Sequence, residues 1–244
     1  RARHRTFVPR RRHRQHAGLR CREQGQVVIH SNTISNSRDW GIIVDAGVRN
    51  GTQYGDIVPR AGDDLPHNGP VRNLRTPNSE TWAPGVVVSN NVVASGGLGG
   101  ILFSGDNTGT QAPPVPFGRI VNNTVYGRRA ADDIGIQVNH NAGPTLLNNV
   151  VANLSNGIIV DGTSGTTVVG ATLYWNNAFN AGGIPGGGLG DFPILATTSP
   201  FVNAAGGNFY PAATSPLIDS SVPNLADRTT FVDTKTPHAL GVFD

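Results

Sequence analysis

Residues 145–162 read TLLNNVVANLSNGIIVDG. Two asparagines interrupt an apolar run, and Gly-Ile-Ile-Val follows eight residues after the second of them. The phrase recurs along the chain. Asn32-Thr33-Ile34 precedes Gly41-Ile42-Ile43-Val44, Asn90-Asn91-Val92-Val93 precedes Gly100-Ile101-Leu102-Phe103, and Asn122-Asn123-Thr124-Val125 precedes Gly135-Ile136-Gln137-Val138. A worn copy begins at Val168-Val169-Gly170-Ala171-Thr172-Leu173. Aligned on the second asparagine, with Ala171 standing for it in the worn copy, the steps are 59, 32, 26 and 22 residues. A period near 22 residues, lengthened by inserted loops and built from short β-branched runs, is the pattern of a solenoid of strands. No segment carries apolar residues at helical spacing over three turns, because glycine and asparagine break every candidate.

Each repeat is expected to supply three short strands. After Gly135, Ile136 and Val138 face inward while Gln137 and Asn139 face outward, by the alternation of a strand. Leu146 opens a second strand, Asn148-Asn149 makes a tight corner, and Val150-Val151 opens a third. Asparagine suits that corner because it tolerates the left-handed backbone. Asn32, Asn91, Asn123 and Asn149 are expected to stack, each amide donating to one neighbouring coil and accepting from the other, at ~0.5–1.5 kcal/mol net per bond. The glycine ahead of each apolar triplet is read as a corner residue with positive φ.

These motifs, from "N-N-T-V" to "G-I-x-V" over Asn122–Val138, resemble the right-handed parallel β-helix proteins of the pectin-lyase-like superfamily. The resemblance covers residues 27–180. A second one lies in PFVNAAGGNFYPAATSPLIDSS, residues 200–221, which is similar to a closing line of many secreted bacterial β-helix proteins. It implies an all-β fold, a single-stranded right-handed parallel β-helix of five or six coils, with a long inserted loop at 46–84. Residues 27–189 are expected to form the coils, and residues 190–244 the last irregular coils and a C-terminal cap. It also implies a fragment of a larger secreted bacterial protein, a reading that the chain's lack of methionine supports. The fold hosts lyases, hydrolases, epimerases, adhesins and inert spacers, so it does not settle activity.

Composition agrees with an extracellular solenoid. Charged residues make up 14% of the chain and glycine 32 of 244 residues, against usual values of ~25% and ~7%. Residues 1–22 hold nine arginines and no acid, so the net charge of +3 belongs to this arm, and the remainder is near −6. Residues 1–26 are read as a basic arm outside the fold, disordered or not native coding sequence. No recognition fold or stacking aromatics accompany the arginines, so nucleic acid is not an expected partner. Cys21 is the single cysteine, which excludes an intrachain disulfide. No apolar run approaches 18 residues, so no membrane helix is expected. The expected partners are polysaccharide or neighbouring domains of the same parent chain, at the cell surface or outside it.

The candidate chemistry is sparse. Asp132-Asp133, ahead of Ile134-Gly135-Ile136, is a carboxylate pair of the kind that serves as acid and base. Polygalacturonases carry Asp-Asp before such a strand, yet their Asn-Thr-Asp, Gly-His-Gly and Arg-Ile-Lys companions have no counterparts here. A solvated turn is the competing reading. His140 follows the same strand and is a candidate acid or base. Arg128 and Arg129 lie just ahead of the pair. Lyases of this fold use an arginine or lysine as base, often with Ca²⁺. Asp45, Asp106 and Asp161 follow three apolar strands and are candidate ligands, though three acids fall short of the six to eight oxygens Ca²⁺ takes. Apart from that lyase alternative, neither a metal nor a cofactor is expected. Trp82 and several arginines in the 46–84 insert are candidate binding groups. The outward column of the first sheet reads Ile43, Leu102, Gln137, Ile159, which is poor material for gripping a polyuronate. These readings favour a non-catalytic spacer or adhesive module, with a polysaccharide lyase or hydrolase as the alternative.

Overall fold

The computed structural model describes residues 17–21, 27–45, 86–105, 118–140 and 142–222. The 46–84 insert, with Trp82, lies outside them, as does Asp106. Among the described residues the regular structure is β-strand and one short 3₁₀ turn. The first sheet contains β1 (Ala17–Cys21), β4 (Trp40–Asp45), β7 (Gly99–Ser104), β10 (Ile134–Asn139), β13 (Asn156–Val160) and β16 (Phe179–Gly182), in that order. The second contains β2 (Val27–His30), β5 (Val86–Ser89), β8 (Arg119–Val121), β11 (Thr145–Leu147) and β14 (Val168–Gly170). The third contains β3 (Thr33–Ser35), β6 (Val92–Ala94), β9 (Thr124–Tyr126), β12 (Val150–Ala152), β15 (Leu173–Trp175) and β17 (Ile194–Ala196). Every pairing in these three sheets is parallel. Parallel neighbours need a crossover of a dozen or more residues. Here the crossover is two further strands, one in each of the other sheets, an arrangement consistent with a β-solenoid.

Side chains stack in register between the sheets. Ile42, Ile101, Ile136 and Ile158 form one fully buried column, and Val44, Phe103, Val138 and Val160 form another. Ile29, Val88, Ile120, Leu146 and Val169 line the second sheet, and Val93, Val125, Val151 and Tyr174 the third. They form one continuous core, in which each aliphatic side chain contributes ~1.5–3 kcal/mol on burial. Tyr174 stands where the three preceding coils have valine. Its hydroxyl donates to the Leu189 carbonyl at 3.0 Å, and burial pushes its pKa up.

Three details differ from the sequence reading. Residues 17–21, read as part of an arm outside the fold, form β1 and pair with β4, because their backbone extends the first sheet by one strand. The worn copy is in register one residue later: Val150 pairs with Leu173, so Thr172, not Ala171, occupies the ladder position. Ala171 instead takes the corner that Ser31, Asn90, Asn122 and Asn148 take, all with left-handed backbone (φ 44° to 55°). The first residue of each doublet therefore turns the chain, and the second stacks. The glycines Gly41, Gly100, Gly135 and Gly157 are not left-handed. Their role is close approach, since a Cβ on Gly41 would lie 2.2 Å from Val93 Cγ1 and one on Gly100 2.2 Å from Val125 Cγ1.

β17 adds a strand to the third sheet, but the chain beyond it does not continue the stack. The antiparallel pair β18 (Phe201–Asn203) and β19 (Asn208–Pro211) lies on the outer face of that sheet. Phe201 and Phe209 pack against Tyr126, with ring centroids 6.3 and 5.3 Å away, and Phe201 lies 6.5 Å from the Trp175 ring. Farther on, the Asn148 amide holds the Val222 backbone at both ends. Val222 N donates to Oδ1 at 2.9 Å, and Nδ2 donates to the Val222 carbonyl at 2.8 Å. Residues 200–222 thus run along the flank of the stack.

Candidate functional site

The corner between the second and third sheets carries the asparagine column. Asn32 Nδ2 donates to Asn91 Oδ1 at 2.9 Å, Asn91 Nδ2 to Asn123 Oδ1 at 2.9 Å, and Asn123 Nδ2 to Asn149 Oδ1 at 3.1 Å. Each receiving oxygen also accepts the backbone N–H of the preceding asparagine. Each of the three buried amides donates in addition to a carbonyl one coil back: Asn91 to Ile29, Asn123 to Val88, Asn149 to Ile120. Asn32, at the open end, is exposed. A second polar corner, not read from the sequence, follows the third sheet. Asn36, Ser95, Asn153 and Asn176 are left-handed there, and Asn176 Nδ2 donates to Asn153 Oδ1 at 2.9 Å.

Asp132 and Asp133 are adjacent in sequence but not in environment. Asp132 is exposed, whereas Asp133 is 1% exposed. Asp133 Oδ2 accepts the backbone N–H groups of Arg128 and Arg129 and so closes the turn that leads into β10. Burial pushes the Asp133 pKa up, and those two N–H groups and the Arg128 charge offset only part of the rise. The guanidiniums face elsewhere: Arg128 Nη2 donates to the Gly96 carbonyl at 3.2 Å, and Arg129 Nη1 to Asn176 Oδ1 at 3.2 Å.

His140 lies at the far end of β10 from Asp133, seven residues on. At ~3.3 Å per residue, the strand separates their backbones by roughly 23 Å. A carboxyl pair acting on one glycosidic bond works at ~5–9.5 Å, so Asp133 and His140 do not belong to one catalytic centre. The His140 backbone is left-handed (φ 56°), and its N–H donates to Asp161 Oδ2 at 2.8 Å. Its Nδ1 lies 2.9 Å from Ser104 Oγ, a partner that the sequence did not single out. Only the coil register, which pairs Ser104 with Asn139 and with Asp45, brings it there. The same Ser–His contact occurs between Ser89 Oγ and His30 Nδ1 at 2.9 Å, on the edge of the second sheet. Its recurrence between other coils favours a structural bond over a nucleophile–base pair.

Asp161 is likewise engaged by its own turn. Oδ1 accepts from Thr163 N (3.0 Å), Thr163 Oγ1 (2.8 Å) and Ser164 N (2.9 Å). Partial burial alone would raise its pKa, but the bonds from His140, Ser164 and Thr163 outweigh that and hold it below the ordinary carboxylate value. Among the described residues no three of His, Cys, Asp or Glu gather as metal ligands, and no helix is long and apolar enough to cross a membrane. No family model, no curated protein and no solved structure matches the chain.

Asp133 and Asp161 have opposite pH signatures. Asp133 has a raised folded-state pKa, so its ionised form opposes folding. That penalty is absent below the ordinary aspartate pKa of ~3.9 and grows as pH rises through the folded value. Asp133→Asn keeps an acceptor for both N–H groups without the charge. Its stability is expected to equal or exceed the parent's at neutral pH and to lose that advantage in acid. Asp133→Ala strands both donors and is expected to cost ~1–3 kcal/mol. For Asp161 the sign reverses. The parent's advantage over Asp161→Asn is present above the ordinary pKa and lost as pH falls through the depressed one. Urea titrations of the three variants between neutral and acid pH measure both trends.

Proposed function

We propose that the protein is a non-catalytic module of a large secreted or cell-surface protein. In this reading it is a right-handed parallel β-helix of five or six coils, of the pectin-lyase-like kind, serving as a spacer or as an adhesive surface in contact with carbohydrate or neighbouring domains. The observation that carries the proposal is the dispersal of the candidate chemistry. Asp133 and Asp161 spend their oxygens on local backbone N–H groups, and a full strand lies between Asp133 and His140. The outward column Ile43, Leu102, Gln137, Ile159 is half-buried and mostly aliphatic, a surface without the charges that bind polyuronates.

A second reading, a lyase or hydrolase on an acidic polysaccharide, draws on one observation. Ser104 and His140 meet where the first sheet ends, and the two longest stretches between consecutive strands, after Asp45 and after Ser104, leave from that side. Incubating the full chain with pectate and alginate, with and without Ca²⁺, separates the two. The expected result is no new reducing end and no unsaturated product, with retention of the chain on immobilised polymer as the positive readout. Turnover that His140→Ala or Asp132→Asn abolishes would reject the non-catalytic reading.

A further inference from the structure

From the last winding of strands we infer a self-association surface, through which two copies of this chain meet end to end about a twofold axis. Among the described residues β16 pairs only with β13 and β17 only with β15, so there both present one unpaired edge. Between them Asp191 makes a single bridge to Gly170. Three large apolar side chains stand open on this winding: Phe179 is 69%, Phe192 71% and Leu195 59% exposed. Leu195 is in register with Tyr174, hence with the buried column of Val93, Val125 and Val151. It is a core position over which no described residue is stacked. Residues 200–222 do not cover it, because they lie on the flank of the third sheet.

Phe192 adds an independent sign. It occupies the corner held elsewhere by Ser31, Asn90, Asn122, Asn148 and Ala171, with φ 50°. A bulky side chain held left-handed costs ~1–3 kcal/mol. Asparagine would relieve that cost, yet the chain places an exposed ring there, at the end of the stack.

Charge selects the occupant. Exposed strand edges are ordinarily guarded by lysine or other charged side chains. From residue 176 to 222 the only charged residues are Asp191 and Asp219. In a twofold contact each patch meets its own copy, so a charged end repels itself. This end is almost free of that repulsion, and its edges can pair antiparallel with themselves. The opposite end of the stack exposes Val28 but also His30, Asn32, Thr33, Ser35 and Arg38, so it is more polar than the apolar end and a poorer match in a head-to-tail contact.

Sedimentation equilibrium of the full chain across the micromolar range tests the inference. The parent is expected to sediment at twice the chain mass. Leu195→Lys and Phe192→Asn are each expected to weaken the dimer at least tenfold, ~1.4 kcal/mol. Phe192→Asn restores the residue type of the other corners, so at concentrations low enough to make both chains monomeric its unfolding midpoint should not fall below the parent's, which separates lost association from lost fold. A parent that stays monomeric overturns the inference, whatever covers the end within one chain. So does a dimer that neither variant weakens.

Discussion

Asn123→Ala is expected to destabilise the protein by roughly 3–5 kcal/mol, because a buried polar group that loses its partner costs ~1–3 kcal/mol. That is a large share of the ~5–15 kcal/mol that holds an ordinary domain. Asn123 is fully buried, and four bonds converge on its amide. Its oxygen accepts Asn91 N and Nδ2, and its nitrogen donates to the Val88 carbonyl and to Asn149 Oδ1. Truncation leaves Asn91 N with no acceptor at that site, inside the stack where water does not replace it. Asn91 Nδ2 keeps the Ile29 carbonyl, and Asn149 Oδ1 keeps Asn123 N, so those groups are only partly stranded. Asn123→Asp is expected to be worse still. A carboxylate preserves the two acceptor contacts, but it faces the Val88 carbonyl and Asn149 Oδ1 with no hydrogen to donate and carries an uncompensated charge. Asn32→Ala supplies the control. Asn32 is exposed, its backbone N–H still reaches Asn91, and its loss is expected to cost no more than ~1.5 kcal/mol. Denaturant titrations of the three variants measure the gradient. Equal losses for Asn32→Ala and Asn123→Ala would mean that the column does not support the fold.

The column explains why so much of the fold could be read from the sequence. A parallel in-register stack puts each residue over its own equivalent, so the Asn-Asn and Gly-Ile-x-Val phrases repeat because their neighbours are copies of themselves. What the sequence did not disclose is what the stack imposes rather than what it selects. Ala171 and Phe192 adopt the left-handed corner that serine or asparagine fills elsewhere, because the strands on either side fix the backbone. Composition therefore placed the worn copy one residue early. The glycines ahead of each triplet looked like turn residues, but a valine of the third sheet and a backbone carbonyl of the next coil, both close to any added Cβ, explain them, and such contacts leave no local mark. The Asp132-Asp133 pair misleads for the same reason. The two lie in a turn closed by Asp133 N on the Ala130 carbonyl, and that turn leaves Asp132 in solvent while it buries Asp133. Ser104 was missed because its partner His140 lies a coil away, across an interval whose register only the structure supplies. The course of residues 200–222 along the flank depends on aromatic contacts with Tyr126 and Trp175, two residues that the repeat itself does not conserve in kind from coil to coil.

Gly100→Ala is the second large effect, at ~3 kcal/mol, the upper part of the range for overpacking a filled core. The added Cβ would lie 2.2 Å from Val125 Cγ1, 3.0 Å from Val125 Cγ2 and 2.7 Å from the Gly135 carbonyl oxygen. Valine has one strongly restricted side-chain torsion, and both of its methyls are already involved, so rotation offers little relief. The carbonyl belongs to β10, which pairs with β7, and it cannot withdraw without loosening that ladder. Adding Val125→Ala removes the side-chain clash and leaves the carbonyl clash, so the double variant should be more stable than the sum of the single losses predicts, by ~1 kcal/mol or more for residues in contact. Gly162→Ala is the counterpart. Nothing lies within 4 Å of a Cβ there, and its backbone is not left-handed. It is expected to be neutral or to stabilise by ~0.4–1 kcal/mol, since alanine narrows the unfolded ensemble. Thermal and urea unfolding of the four chains decide the matter. If Gly100→Ala proves as mild as Gly162→Ala, the close contact between the first and third sheets is not what requires glycine at the head of each triplet.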